Sequence, residues 1–319
     1  MANFQTNDKV RIKYHIQGKE DGQALIFIEG YSGNEATWAA QIDDFVKAGF
    51  KVITYDRRNH GKSQSVPYGM QIARHGFDLA ELINHLKLKK PVLIGHSMGA
   101  STIFAYLSLF GCQNVKAVVT EDQSPKAISE NDWVFGLFNS SWENFYKNAA
   151  LIETTKLTRL PISSEIKRIL GEAYRSYQPF DFHFNQPLLL DSLVQDWREE
   201  IKNETVPHLF LAGSASPLWS SEHSKAAASL SPFARAYTFK GCGHIPHLES
   251  ADEFNRLVIK LFKKTVTDLQ EFLLLLFNFQ KQFSTCIFCL KRPCKFIHIE
   301  LSLRRVKQTT QMEMLNYEN

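Results

Sequence analysis

Short apolar runs of strand length recur along this chain, and most are followed by a longer stretch with helical spacing. Residues 25–28, 52–55, 92–94, 115–120, 209–212 and 236–239 read as strands, while 36–48, 73–86, 100–109 and 222–230 carry helix-like patterns. Runs this continuous suit strands covered on both faces, as in a parallel sheet. Strand and helix alternating in this way predict an α/β fold with a doubly wound, mostly parallel sheet. Residues 10–16 alternate with period two and predict an antiparallel hairpin at the edge of that sheet.

The alternation stops between about residues 124 and 205. That stretch is rich in rings, among them Trp133, Phe135, Trp142, Tyr174, Phe180 and Trp197, and reads as several helices. An interruption of this length inside a regular pattern predicts a helical lid inserted after the sixth strand. The expected organisation is a core in two parts, 1–124 and 206–264, a lid over 125–205 and an extension over 265–319. The last core helix, from residue 251 to 264, starts with Ser250 followed three residues on by Glu253, the spacing of a capping box.

Composition narrows the function classes. Of 319 residues 44% are hydrophobic and 22% charged, ordinary for a globular protein. From Gln280 onward there are seven Lys/Arg against three Glu, which accounts for the whole formal charge of +4. Residues 1–279 are therefore near neutral, which argues against nucleic-acid binding, a task that needs a strongly basic face. The first 19 residues lack a basic segment followed by an apolar one, so no secretory signal is read there. Cys112 and Cys242 alone precede residue 280 and form no disulfide framework. The expected location is the cytoplasm, and no membrane span is expected. A small-molecule substrate is expected, and the oligomeric state is not legible.

Gly95-His96-Ser97-Met98-Gly99 matches G-x-S-x-G, and its setting matters more than its letters. A strand precedes it and a helical pattern follows. A tight turn in that setting holds a serine in a strained conformation at the carboxyl edge of the sheet and exposes its Oγ. Ser97 is the expected nucleophile.

Further motifs agree in order along the chain. Glu29-Gly30-Tyr31-Ser32-Gly33 follows the third strand, Asp56-Arg57-Arg58-Asn59-His60-Gly61-Lys62-Ser63 has the form D-x-R-x-H-G-x-S, and Gly243-His244 follows the last strand. With the serine motif these make residues 9 to 264 resemble the α/β-hydrolase superfamily, in its branch of serine esterases and cofactor-free haloperoxidases. The resemblance implies an α/β-hydrolase fold, a Ser-His-Asp triad and an acyl-enzyme, with neither cofactor nor metal.

Among 11 histidines, His244 is singled out by its place between the last strand and the last helices, flanked by glycine. Loops at strand carboxyl ends converge on one crevice, so His244 and Ser97 share an edge. His247 is its rival. The family usually carries its acid after the seventh strand, but here Gly213-Ser214-Ala215-Ser216-Pro217-Leu218-Trp219 holds no carboxylate. Some members resemble an arrangement with the acid one strand earlier, where this chain has Glu121-Asp122. Asp122 is the expected acid, Glu121 the second choice and Glu222 a distant third. By the same resemblance the oxyanion hole is expected from the backbone N–H groups of Tyr31 and Met98. Glu29 departs from the family's common histidine, and it is expected either to turn away into a polar contact or to carry a raised pKa.

After residue 264 the text changes character. The apolar run 272–277 is too short for a membrane helix. Cys286, Cys289, Cys294 and His298 are zinc-ligand types in a spacing that fits no zinc motif, so no metal site is expected. The expected function is hydrolysis of a small carboxylic ester or related acyl compound. Perhydrolysis and C–C bond hydrolysis are the enzymatic alternatives, and a non-catalytic ligand-binding protein on the same fold is the alternative of another class.

Overall fold

In the computed structural model, which describes residues 2–177 and 179–263, β1 (Ala2–Gln5) and β2 (Arg11–Gly18) pair as an antiparallel hairpin. Six further strands follow: β3 (Ala24–Ile28), β4 (Lys51–Asp56), β5 (Val92–His96), β6 (Ala117–Glu121), β7 (His208–Gly213) and β8 (Ala234–Phe239). They form one sheet in the order β1-β2-β4-β3-β5-β6-β7-β8, parallel from β4 to β8, with β2 lying antiparallel on β4. The doubly wound, mostly parallel sheet expected from the alternation is what forms. The hairpin also lies at the expected edge, although Ala2–Gln5 was not legible as its outer strand.

Side-chain alternation explains why helices cover both faces. Ile26, Ile53, Leu93 and Val118 point one way and pack with residues of α2 (Ile72–His85) and α3 (Met98–Phe110). Their neighbours Leu25, Phe27, Val52, Val92 and Val119 point the other way, into a cluster with α1 (Ala39–Lys47) and α10 (Ala251–Phe262). Each such side chain taken wholly out of water contributes about 1.5–3 kcal/mol, so both faces must be covered.

Between β6 and β7 lie α4 (Phe145–Ala150), α5 (Ser164–Ser176), α6 (Phe182–Leu193) and α7 (Arg198–Asn203). After β7 come α8 (Glu222–Ala228), and after β8 α9 (Pro246–Glu249) ahead of α10. At the start of α10 the Ser250 hydroxyl donates to the Glu253 carboxylate at 2.9 Å, a side-chain contact in place of the expected reciprocal backbone cap. By internal contacts the chain divides into Met1–Phe262 and Lys263–Asn319. The apolar run 272–277 and the Cys286, Cys289, Cys294, His298 group lie outside the described residues. No helix among the described residues is long and apolar enough to cross a membrane.

Candidate active site

Ser97 stands between the end of β5 and the first residue of α3, with φ 52° and ψ −123°. This left-handed conformation costs a non-glycine residue about 1–3 kcal/mol and persists only where the surroundings enforce it. Two close approaches enforce it here. A Cβ on Gly99 would lie 2.2 Å from the carbonyl oxygen of Ile28, and one on Gly95 would lie 2.5 Å from the Gly99 carbonyl carbon. The Ser97 N–H is anchored to the Glu121 carbonyl at 2.8 Å.

His244 comes to the same carboxyl edge. Its Nδ1 lies 2.7 Å from Asp122 Oδ2, with both side chains buried. Ser97 and His244 line one cavity of about 120 Å³. Tyr31, Met98 and Gly30 line it as well. Met98 opens α3, so its N–H has no partner within the helix.

Asp122 is itself a strained residue, with φ 47° just past the end of β6. Its Oδ1 accepts the Gly213 N–H at 2.9 Å, and its Oδ2 accepts the Ser216 hydroxyl at 2.6 Å. The loop after β7, which lacks a carboxylate, thus supplies donors to the carboxylate of β6. Burial would raise the Asp122 pKa, but His223 and His244 outweigh it and hold the group well below the usual carboxylate range. His223 Nε2 lies 3.9 Å from Oδ1, beyond hydrogen-bond distance. Ser216, Gly213 and His223 had no sequence signal beyond lying in the loop and helix after a strand.

The rival residues lie elsewhere. Glu121 meets His247, whose Nδ1 is 2.7 Å from Glu121 Oε2. Glu222 is on α8, where it pairs with Lys225 at 2.8 Å. Cys242 is buried next to the histidine segment, and burial first, then nearby carboxylates, push its thiol up to about 12, which leaves it unreactive.

Glu29 follows both of its expected courses. Its side chain turns away from the cavity and accepts the Arg57 N–H at 2.8 Å. Arg57 Nε lies 3.3 Å from the same oxygen without hydrogen-bond alignment, and Glu29 Oε2 is unpartnered. Burial raises the Glu29 pKa, partly offset by Arg57. The Arg57 guanidinium continues to the Gly30 carbonyl at 2.7 Å and His60 Nε2 at 3.0 Å, and His60 Nε2 is also close to the Tyr31 carbonyl. His60 Nδ1 lies 2.8 Å from the Arg58 carbonyl, which only accepts, so the proton of the neutral ring is on Nδ1 and Nε2 accepts from Arg57. Burial and the Arg57 charge hold His60 well below its ordinary pKa, in the neutral form.

Glu29 therefore braces the Gly30–Tyr31 segment through Arg57. Glu29→Gln is expected to lower stability by about 2–4 kcal/mol, by leaving Arg57 buried without its counter-charge. Urea unfolding checks this, with kcat expected to fall no more than about tenfold, less than one oxyanion donor is worth. A fall of several hundredfold in an equally stable protein would mean that the carboxylate takes part in the chemistry.

The histidine segment is held by a second carboxylate, Glu249, which no sequence signal singled out. It accepts the Gly243 N–H at 3.0 Å and, across to the helical insert, the N–H groups of Arg159 and Leu160 at 2.7 Å each. The His244 N–H donates to the Leu157 carbonyl at 2.8 Å. The insert also lines the cavity, through Leu137, Ile152, Leu157, Tyr174, Leu189, Ser192 and Leu193. These are mostly aliphatic. Many of the rings that marked the stretch in sequence pack elsewhere, as Trp197 does on Phe104, or stand exposed, as Trp142 does.

A parallel sheet that brings a strained serine, a buried histidine–carboxylate pair and the Met98 N–H at the start of a helix to one carboxyl edge defines a hydrolase architecture. Residues 23–164 match the family model described as the alpha/beta hydrolase fold. The chain has the α/β-hydrolase fold, and its likeness to the family model and to an esterase supports a hydrolase. It is 25% identical over 252 residues to Esterase YbfF of Escherichia coli, a match covering 76% of this chain and 94% of that protein. A non-heme chloroperoxidase of Burkholderia pyrrocinia is 35% identical over 148 residues, 46% of this chain and about half (53%) of that protein. A bromoperoxidase from Bacillus anthracis superposes with a TM-score of 0.70 at 23% identity, covering 82% of this chain and all of that one (100%), a likeness of fold.

Proposed function

We propose that this protein hydrolyses small carboxylic esters through a Ser97-His244-Asp122 triad and an acyl-enzyme. The observation that carries the reading is the 2.7 Å contact of His244 Nδ1 with Asp122, made by a histidine that shares a cavity with Ser97. Asp122 accepts the Nδ1 proton, which leaves Nε2 free to act as base. His244 Nε2 takes the Ser97 proton as Oγ attacks the substrate carbonyl. The Tyr31 and Met98 N–H groups receive the oxyanion as it forms. The alcohol leaves with the proton from His244, and a water activated by the same imidazole releases the acid. The helices over 125–205 act as a lid whose aliphatic side chains meet the acyl group.

The cavity, about 120 Å³, is small beside the roughly 300–1,000 Å³ typical of sites for drug-sized ligands. Short acyl chains are therefore the expected substrates. With p-nitrophenyl esters from acetate to decanoate, kcat/KM is expected to peak at two to four carbons and to fall by about tenfold or more beyond eight. A rate that rises steadily to decanoate would sink the short-chain reading. Perhydrolysis is a second reading, favoured by the likeness to the chloroperoxidase. It uses the same acyl-enzyme with hydrogen peroxide in place of water, and peracid formed from ethyl acetate and peroxide would reveal it.

A further inference from the structure

Two consecutive carboxylates stand at the end of β6, Glu121 as its last residue and Asp122 just past it, and each receives an imidazole from the segment after β8. Asp122 receives His244. Glu121 receives His247 twice, since Oε1 accepts the His247 backbone N–H and Oε2 faces Nδ1, both at 2.7 Å. Neither side chain of this second pair is exposed at all. Trp38 stacks on the His247 ring with centroids 4.1 Å apart, and Gln41 Nε2 donates to the His247 carbonyl at 2.7 Å.

Burying a carboxylate and an imidazole together is a poor way to stabilise a fold, because desolvation offsets most of their attraction. Two connections tie the pair to the proposed chemistry. The Glu121 carbonyl holds the Ser97 N–H at 2.8 Å, so this one residue grips the nucleophile turn by its backbone and the histidine segment by its carboxylate. The His96 ring bridges the two histidines, with centroids 4.7 Å from His244 and 5.0 Å from His247. His96 Nε2 lies 2.8 Å from the His244 carbonyl, which only accepts, so that nitrogen carries the proton.

We propose that Glu121 and His247 form a positioning pair, which seats His244 against Ser97 and supplies a buried negative charge that favours the His244 imidazolium as it forms. The inference rests on the Ser97–His244 reading above.

The titratable groups facing the pair are His96 from β5, Asp122 just past the end of β6, Cys242 and His244 from the segment after β8, and Glu249 from α9. The neighbours from the turn before α1 and from α10 are the rings of Trp38 and Phe254. Burial pushes the Glu121 carboxyl up to about 7, and holds His247 and His96 down at about 3. Near neutral pH both of these imidazoles are uncharged, and the charge of the pair is that of Glu121. It is present above pH 7 and lost below it. Its loss leaves the His244 imidazolium less favoured and the transition state less stable.

Glu121→Gln imitates the protonated carboxyl with the same shape. At pH 8 it is expected to lower kcat about tenfold with little change in KM, and to move the acid limb of the kcat/KM profile down by about half a unit or more. His247→Gln keeps the carboxylate charge, so its turnover falls but its acid limb stays within about 0.2 units of wild type. A purely structural role would move neither limb. Rates are taken per serine titrated with a fluorophosphonate, which removes misfolded protein from the comparison. A wild-type limb and a wild-type kcat per titrated serine in Glu121→Gln would overturn the proposal, as would equal shifts in both variants. Ser97→Ala run alongside distinguishes the two levels, since turnover surviving there would overturn the triad itself and this inference with it.

Discussion

Replacing Ser97 with alanine is expected to lower kcat for p-nitrophenyl butyrate by about 10⁴ to 10⁶, with KM changed little. The magnitude follows from what the hydroxyl alone provides. Without Oγ there is no acyl-enzyme, and His244 is left to direct water at a carbonyl held only by binding and the Tyr31 and Met98 N–H groups. The rest of the site is not expected to move, because the turn is enforced by the approach of Gly99 to Ile28 and of Gly95 to Gly99, not by the serine side chain. Relief of strain is not expected either, since alanine at φ 52° is no more comfortable than serine. Loss of fluorophosphonate labelling checks the same point independently of substrate. Retention of more than about one per cent of kcat would mean that another group performs the attack.

Asp122→Asn is expected to cost about 10³ to 10⁴ in kcat while leaving the fold in place. Asparagine keeps an oxygen for the Gly213 N–H and turns its NH₂ toward Ser216 and His244, where the hydroxyl can accept. The imidazole then carries its proton on Nε2, the nitrogen that must be free to take the one from Ser97. Asparagine also withdraws the charge that would stabilise the imidazolium. The comparison with Glu121→Gln is decisive between two adjacent carboxylates. If the Glu121 variant loses thousands-fold and the Asp122 variant about tenfold, the two roles are exchanged. Circular dichroism and thermal unfolding of both variants exclude loss of fold as the cause.

The sheet was legible because its side chains repeat every second residue in runs too apolar to face water. Residues 92–94 and 100–109 could be read as strand and helix from their apolar spacing, and the turn between them from a serine flanked by two glycines. By contrast, the proposed acid is one of two neighbours that sequence distinguishes only by parity along a strand. Glu121 and Asp122 pair with histidines three residues apart, and the positive φ of Asp122 decides how its side chain is turned. The helical insert was marked by its rings, yet four leucines and Ile152 reach the cavity beside the ring of Tyr174. Ring content reports burial somewhere, not burial at a particular site.

Hydrogen bonds across long separations were illegible for a different reason. Glu249 joins Gly243 to Arg159 and Leu160, and Glu29 reaches Arg57 and through it the Gly30 carbonyl. Each is a carboxylate accepting backbone N–H groups, and a backbone donor leaves no mark on residue identity. What amino-acid order alone determined was the alternation of elements, the architecture that follows from it, and the serine turn, because periodicity and local sterics act over a few residues. Only the tertiary structure decided which imidazole each carboxylate receives, and that Gly213 and Ser216 donate to Asp122. Those outcomes depend on strand register and loop path, which set distances between residues 91 to 126 positions apart.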